Sequence, residues 1–362
     1  MSYDSIVDDF AHMPEYIMNC MEYYFEGEGQ DLFAKVRDLL SSVNYTRVIF
    51  IGNSFNYFAS FVPVFYLTNS GNLNYGWQNF EVNEFYDYIL PAKPLNNTLY
   101  IFISKSGRSR LIQKSMKHLF DIGTDPRLIW LVTNEPELKI AAKCGIVFPI
   151  IVKKEIIPGT RSFQNEVFVL YLISQLLLKK DPQAMVKATR KGVITLVDSM
   201  KKYWLTRKKT TSEIIDHLGG DLQSLYLISK GTSLSTVYEA AASAKSFASL
   251  FAEGISSGLF FHGPFQIADA SFRCVLILHE KYNEQINLLI QERINQITSR
   301  LGQTLLITTN KKLSAVIASV DDKKSVYSLN FDCEIPALTP IFEMFVLHQI
   351  FLEISKIRGL VL

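Results

Sequence analysis

The sequence predicts an α/β protein built on parallel β-sheets. Short continuous apolar runs such as Arg47–Gly52 and Leu99–Ile103 are typical of strands that are buried on both faces. A polar turn and then a segment with helical apolar spacing follow each run. Because this alternation recurs in the second half of the 362-residue chain, we expect two domains of similar plan.

The first half begins with helices and continues as alternating strands and helices. Residues 1–41 carry apolar side chains at helical spacing, and Pro14 can start a helix. A short strand and a polar turn are predicted within Glu81–Leu90. The other predicted strands are Arg47–Gly52, Leu99–Ile103, Arg127–Thr133 and Val147–Val152, and helices are predicted over Phe58–Leu67 and around Val167–Leu178.

The second half repeats this plan after a basic helical connector, Lys180–Lys209. A strand and a glycine–hydroxyl turn, Leu225–Ser233, precede a helix of small residues, Tyr238–Leu250. The remaining predictions are strands at Cys274–Leu278, Thr304–Thr308 and Ser325–Leu329, and helices at Tyr282–Ile297 and Pro340–Lys356.

Composition argues against several classes of function. The net charge of +2 is too small to indicate a nucleic-acid or membrane partner, and we interpret the basic cluster as a solvated helix face. That cluster comprises Lys201, Lys202, Arg207, Lys208 and Lys209. The acidic N-terminus does not resemble a signal peptide, and the apolar stretch Val167–Leu178 is too short to span a bilayer. The four isolated cysteines lack metal-ligand spacing, so we expect no metal, no cofactor and a cytoplasmic protein.

The stretch Leu99–Arg110 is the strongest candidate for a binding site. A buried strand ends there in Ser104-Lys105-Ser106-Gly107-Arg108-Ser109, and a helical pattern follows. Free backbone N–H groups and the positive end of the helix dipole make such a turn a natural anion site. The alternative is a turn with solvated charges. The corresponding turn of the second half, His279–Tyr282, carries an acid, so we expect one phosphate site, built mainly by the first half.

Four stretches resemble the motifs of the double sugar-isomerase (SIS) domain family. Within it, the closest resemblance is to the isomerase domain of glucosamine-6-phosphate synthase and to the fructosamine-6-phosphate deglycases. The stretches are Ile51–Ser54, Ile103–Ser109, Gly159–Phe163 and Tyr238–Phe265, the last ending in His262-Gly263-Pro264. The resemblance implies two SIS domains, each a flavodoxin-like parallel sheet flanked by helices in an αβα sandwich.

The resemblance also implies roles for individual residues. Ser104, Lys105, Ser106 and Ser109 would hold a sugar phosphate. Ser54 would bind the sugar or its phosphate, and Asn53 and Thr160 would also bind the substrate. His262 would open the ring or transfer protons at the site of the neighbouring subunit, which implies a homodimer with shared active sites.

The sequence departs from the family where catalysis is concerned. Ser246 stands where the family has its general-base glutamate, and Leu259 stands where it has another acid. Glu239 and Glu253 are the remaining candidates for a catalytic carboxylate, although Glu239 could simply favour a helix dipole. The family's C-terminal tail with its lysine has no counterpart in Ser355–Leu362, and we expect no preceding glutaminase domain.

Two functional hypotheses follow. The first is an enzyme that isomerises or deglycates a phosphorylated sugar or amino-sugar derivative, and the second is a sensor that binds such a compound without turnover. The presence of the motif histidine, His262, favours the enzyme, whereas a serine at position 246 in place of the family's general-base glutamate favours the sensor. The expected organisation is N-terminal helices at 1–41, SIS domain 1 at 42–180, a helical connector at 181–211, SIS domain 2 at 212–345 and a terminal helix end at 346–362.

Overall fold

The computed structural model describes residues 2–71, 74–279, 292, 294–300, 302–320 and 324–360. They form two compact units, one of His12–Ile194 (the N-terminal unit) and one of Met1–Ala11 with Thr195–Leu362 (the C-terminal unit). Each unit contains a five-stranded parallel sheet. The predicted α/β class with two parallel sheets is therefore confirmed, and the domain limits drawn from the sequence stay a prediction.

The N-terminal unit has the strand order β2-β1-β3-β4-β5, the flavodoxin-like order. Its strands are β1 (Arg47–Gly52), β2 (Gly76–Glu81), β3 (Thr98–Ile103), β4 (Ile129–Thr133) and β5 (Ile146–Pro149). Its helices are α2 (Met13–Phe25), α3 (Gln30–Ser42), α4 (Phe55–Ala59), α5 (Phe61–Asn69), α6 (Val82–Glu84), α7 (Arg110–Asp121) and α8 (Arg161–Leu177).

The C-terminal unit repeats this order as β7-β6-β8-β9-β10. Its strands are β6 (Ser224–Ser229), β7 (Phe251–Ser256), β8 (Arg273–Ile277), β9 (Gln303–Thr308) and β10 (Val326–Asn330). Its helices are α1 (Tyr3–Ala11), α10 (Leu234–Ala248), α11 (Ser257–Phe261), α12 (Lys311–Val320) and α13 (Thr339–Ile357), and the long helix α9 (Pro182–Leu218) contains the change from one unit to the other.

Two local predictions differ from the structure. The prediction of a strand within Glu81–Leu90 is wrong beyond Glu81, because α6 and a π-helical turn, Phe85–Ile89, follow β2. Val82 and Phe85 lie three residues apart and are both buried, so helical spacing prevails. Strand β7 was not predicted, since its burial pattern shows no continuous apolar run. The predicted helix Tyr282–Ile297 lies mostly outside the described residues.

Helix α8 forms the centre of the N-terminal unit. Every one of its 17 residues is buried, including Gln164, Asn165 and Glu166. Gln164 donates to the carbonyl of Met13 at 2.8 Å, and Asn165 donates to the carbonyl of Ile150 at 2.8 Å. The polar side chains of α8 thereby join α2 and the end of β5 to the core.

Helix α13 has the corresponding position in the C-terminal unit. Within the described part of the chain, the helical segment Pro336–Ile357 is long and apolar enough to cross a membrane, yet 94% of its most apolar window is buried inside the fold. Its side chains pack in the protein interior, as those of a core helix do.

His348 of α13 is a fully buried histidine between two aromatic rings. Phe10 of α1 stacks on it at 5.8 Å between ring centroids, and Phe247 of α10 stacks at 5.5 Å. Its Nε2 lies 3.5 Å from the hydroxyl of Ser243. Burial lowers the pKa of His348 to about 3, so its imidazole stays neutral in the folded protein.

Replacing His348 with leucine should therefore reduce the loss of stability in acid. The unfolded chain protonates this histidine below its ordinary pKa of 6.5, whereas the folded protein does not until about pH 3. The wild type loses about 1.4 kcal/mol of unfolding free energy per pH unit across this window through His348 alone. Between pH 7 and 5, urea titrations should show about 2 kcal/mol less loss for His348→Leu. An unchanged loss of stability between pH 7 and 5 in His348→Leu would contradict this account.

Candidate functional site

The loop Ser104–Ser109, between β3 and α7, has the geometry of an anion site. Ser109 immediately precedes α7, yet its hydroxyl caps no backbone N–H group of the helix. Among the described residues, the backbone N–H groups of Lys105 and Ser106 have no acceptor. Unbonded N–H groups at the positive end of a helix dipole attract anions. The loop thus combines hydroxyl, N–H and helix-end donors within one turn.

Gly107 allows this loop to turn. Its φ of +59° lies in the left-handed region that favours glycine, and an added Cβ would lie 2.4 Å from Cδ1 of Leu138. The side chain of Gln113 on α7 donates to the Gly107 carbonyl at 2.9 Å. The carbonyl of Lys105 accepts from the hydroxyl of Thr133 at the end of β4. These contacts fix the loop against the helix and the neighbouring strand.

The cation of Lys105 is paired with Glu155, a residue for which the sequence analysis assigned no role. The side chain of Glu155 is 1% exposed and that of Lys105 is 26% exposed. The Glu155 carboxylate also accepts from the backbone N–H of Ser162 at 2.9 Å, from the Ser162 hydroxyl at 2.7 Å and from the Gly159 N–H at 3.1 Å. Glu155 therefore connects the loop after β3 to the N-terminus of α8. Its place as the acid that ends Lys153-Lys154-Glu155, before Pro158-Gly159, is the signal that could have identified it.

Asn53 and Ser54 follow β1, the strand that pairs in parallel with β3. They therefore lie at the same carboxyl edge of the sheet as the loop Ser104–Ser109. Ser54 is exposed and has a φ of +51°, which is uncommon for a residue other than glycine and typical of functional loops. Asn56 fixes this turn by donating to Oε1 of Glu166 on α8 at 2.6 Å.

Thr160 and Arg161 lie at the start of α8 and are both buried. The hydroxyl of Thr160 donates to the carbonyl of Ile157 at 2.9 Å. The guanidinium of Arg161 lies over the ring of Tyr16, 3.9 Å from its centroid. Thr160 joins the group of residues around Glu155, and Arg161 packs against α2.

At the carboxyl edge of the sheet in the C-terminal unit, the hydroxyl and imidazole donors contact a carboxylate of the chain itself, Glu343. Glu343 of α13 accepts from the hydroxyl of Ser233 at 2.8 Å, from the hydroxyl of Thr236 and from Nε2 of His279 at 2.6 Å. Nδ1 of His279 accepts from the backbone N–H of Thr309. Burial acts to raise the pKa of Glu343, but the interaction with His279 and the hydroxyl hydrogen bonds lower it below its usual range. The sequence-predicted acid of this turn, Glu280, lies outside the described residues.

The three catalytic candidates occupy different environments in the C-terminal unit. His262 is exposed just after α11 and makes no side-chain hydrogen bond among the described residues. Glu253 is half-buried on the edge strand β7, beside the Tyr226 hydroxyl. Glu239 is buried in α10, where its Oε1 accepts from the hydroxyl of Ser243 at 3.1 Å.

The two positions that depart from the family are both exposed. Ser246 lies on α10, and its hydroxyl donates to the carbonyls of its own helix at Ala242 and Ser243. The side chain of Leu259 is 62% exposed. Neither residue supplies the acid that it replaces.

Within the described residues, no group of three or more histidine, cysteine, aspartate or glutamate side chains could hold a metal ion. The four cysteines are unpaired. Burial raises the pKa of Cys144 and of Cys333 to about 12. These thiols are therefore protonated at neutral pH.

The pair formed by Lys105 and Glu155 provides a test of the site's construction. Glu155→Gln should lower the free energy of unfolding by about 2–3 kcal/mol, because it leaves a partly buried ammonium without its carboxylate. The double variant Lys105→Met with Glu155→Gln should lose less than the sum of the two single variants. Chemical denaturation measures both effects, and the exposed Lys153→Met serves as the control. Strictly additive losses would show that the pair does not interact.

Sequence comparison finds two archaeal relatives that are both glutamine–fructose-6-phosphate aminotransferases of the isomerizing type. The chain is 24% identical to the Methanococcus maripaludis protein over 248 residues, which cover 66% of this chain and 39% of that one. It is 24% identical to the Methanocaldococcus jannaschii protein over 221 residues, 59% of this chain and 19% of that one. The match thus spans less than half of either relative's length. No model of a protein family matches the sequence.

Two solved structures extend the comparison to the whole chain. The C-terminal domain of glucosamine-fructose-6-phosphate aminotransferase from Francisella tularensis superposes with a TM-score of 0.81 at 16% identity, covering 99% of this chain and 98% of that one. The tagatose-6-phosphate ketose/aldose isomerase from Escherichia coli has a TM-score of 0.70 at 12% identity, with 97% and 92% covered. These likenesses show the fold. Together with the sequence matches, they bear out the resemblance to double SIS-domain proteins, and within these to the isomerase domain of glucosamine-6-phosphate synthase.

Proposed function

We propose that the protein binds a phosphorylated sugar or amino-sugar derivative and catalyses its isomerisation or deglycation. The observation that carries the proposal is the unoccupied set of donors at the start of α7, where Ser109 caps no N–H group and Lys105 and Ser106 keep free N–H groups among the described residues. A phosphate monoester matches such a set of donors. The similar proteins are named for fructose 6-phosphate and tagatose 6-phosphate, and these names support the same class of ligand.

The phosphate would serve as the fixed end of the substrate. Its binding energy would hold the reacting carbons near the groups that transfer protons, which is how remote contacts contribute to catalysis. Ser54, Asn53 and Thr160 remain the candidates for contacts to the sugar. Of the two candidate carboxylates, Glu253 is the more accessible, because Glu239 is buried and already accepts from Ser243.

His262 would act across a homodimer interface. Its ring is exposed in the single chain, and three large apolar side chains exposed by 59–62% lie in the same segment. They are Phe251, Leu259 and Ile267. Exposed apolar side chains of this size favour an interaction surface. A second copy of the chain would cover them and bring His262 to the partner's site.

The second candidate function is a sugar-phosphate sensor that has lost its catalytic base. The observation that favours it is the hydrogen bonding of Ser246, whose hydroxyl donates to carbonyls of its own helix and contacts no basic side chain among the described residues. In either case we propose a cytoplasmic protein, since its four cysteines are unpaired.

Fructose 6-phosphate, glucosamine 6-phosphate and 6-phosphofructosamines test the two functions. The enzyme predicts a rise in Tm and product formation with at least one compound, and the sensor predicts the rise in Tm without product. Ser106→Ala combined with Ser109→Ala should abolish the part of the rise that comes from binding at the loop, because it removes two hydroxyl donors of the loop. No rise with any sugar phosphate would contradict both functions.

The dimer has its own test. Leu259→Asp combined with Ile267→Asp should convert the protein to a monomer in light scattering, because each carboxylate would be desolvated in an apolar interface. Turnover should fall by at least tenfold while the sugar-phosphate shift in Tm remains. The exposed Tyr88→Asp, in the N-terminal unit, is the matched control and should leave the oligomeric state unchanged.

A further inference from the structure

A cavity of about 720 Å³ lies among three helices of the C-terminal unit. Tyr3 of α1, Arg207 of α9 and Glu353 of α13 contribute to its lining. Glu353 lies ten residues beyond Glu343 on α13, roughly 15 Å along the helix axis. The cavity is therefore well separated from the carboxyl edge of the sheet, and none of the residues assigned to the sugar-phosphate site lines it.

Arg207 is the unusual residue of this cavity. The sequence places it in a basic cluster that reads as a solvated helix face, yet it is only 8% exposed. Its guanidinium packs on the ring of Trp204, 4.5 Å from the centroid, and lies 3.5 Å from Oε1 of Gln349. Among the described residues it forms no ion pair with a carboxylate. A buried cation is normally paired, because desolvation is costly.

The neighbouring groups contact this guanidinium without a direct ion pair in the part of the chain that the structure describes. Arg207 hydrogen-bonds with the hydroxyl of Tyr3, and that hydroxyl donates to Oε1 of Glu353. Burial, assisted by Glu353, raises the pKa of Tyr3 to about 12, so the phenol is uncharged at neutral pH. Arg207 is therefore linked to the carboxylate of Glu353 through the Tyr3 hydroxyl rather than by a direct ion pair, and its guanidinium keeps the capacity to bind an anion that enters the cavity.

The rim of the cavity carries charges of both signs. Lys208 and Lys356 add two exposed cations, and Asp4 and Asp216 add two exposed carboxylates. Lys356 also lies over the Tyr3 ring, 4.3 Å from its centroid. An oxyanion fits the cationic groups, and the carboxylates suit hydroxyl or ammonium groups of the same ligand.

We propose that this cavity is a second ligand site, which binds the oxyanion of a small polar metabolite with Arg207 as its buried anchor. The oxyanion is a phosphate monoester or a carboxylate, since the planar fork of arginine pairs with either. A volume of about 720 Å³ accommodates a metabolite of that size. The site belongs to the C-terminal unit, and its existence does not depend on the function proposed for the loop Ser104–Ser109.

Calorimetric titration in a background that lacks the first site tests the proposal. The protein carrying Ser106→Ala and Ser109→Ala is titrated with inorganic phosphate, glucosamine 6-phosphate and citrate. We expect one equivalent of at least one probe to bind, and the preferred probe distinguishes phosphate from carboxylate. Adding Arg207→Met, which keeps the apolar stem and removes the charge, should weaken that binding at least tenfold.

Two further variants make the result specific. Arg207→Lys should bind the same probe about tenfold more weakly than the background protein, because lysine keeps the charge but loses the bidentate fork. Lys202→Met, an exposed position of the same basic cluster, should leave binding unchanged. The proposal is overturned if no probe binds to the background protein, or if Arg207→Met binds as well as its parent. A sugar-phosphate shift in Tm that remains in Ser106→Ala with Ser109→Ala and disappears when Arg207→Met is added belongs to this cavity, whereas a shift that survives all three substitutions contradicts the proposed function alone.

Discussion

The complete burial of α8 is the constraint on which the N-terminal unit depends. A helix with no face in water can satisfy its polar side chains only with protein groups. Gln164 and Asn165 reach main-chain carbonyls of α2 and of the segment after β5, and Glu166 accepts from Asn56 in the turn after β1. Because these polar side chains are removed from water, they form hydrogen bonds that hold the surrounding segments in place.

The carboxyl edge of the first sheet is held in place by such hydrogen bonds. Glu166 positions the turn that contains Ser54, and Glu155 gathers Lys105, Gly159 and Ser162 around one buried carboxylate. The loop Ser104–Ser109 is therefore restrained from both sides, while the backbone N–H groups of Lys105 and Ser106 stay free among the described residues. Such a restrained loop can accept an anion with little reorganisation.

The C-terminal unit shows how one topology yields a different site. Both sheets have the same strand order, and both central helices carry a buried glutamate near their start. In the C-terminal unit, however, that glutamate, Glu343, itself takes the donors of Ser233, Thr236 and His279. An internal carboxylate occupies these donors, so the second edge does not present them to a ligand. From the sequence, the acid in the corresponding turn, Glu280, indicated a phosphate site in the first half; Glu280 lies outside the described residues.

Elements defined by local patterns were the ones that could be predicted. β1, β3 and β9 are continuous apolar runs, and α7 follows a polar turn, so sequence spacing identified them. Strand β7 escaped because an edge strand with one half-exposed face has no such run. The segment after Glu81 became helical because burial of Val82 and Phe85 on one face outweighed the polar residues between them.

The sequence by itself determined the α/β class, the twofold repetition and the position of the anion loop, because each depends on residues that are close along the chain. The tertiary structure decided which charges meet and which are buried. Glu155 lies fifty residues from Lys105, and Arg207 is desolvated by Trp204 on its own helix and by residues of α1 and α13. The energy of such contacts depends on distance and dielectric environment. Those quantities exist only once the packed elements have brought the groups together.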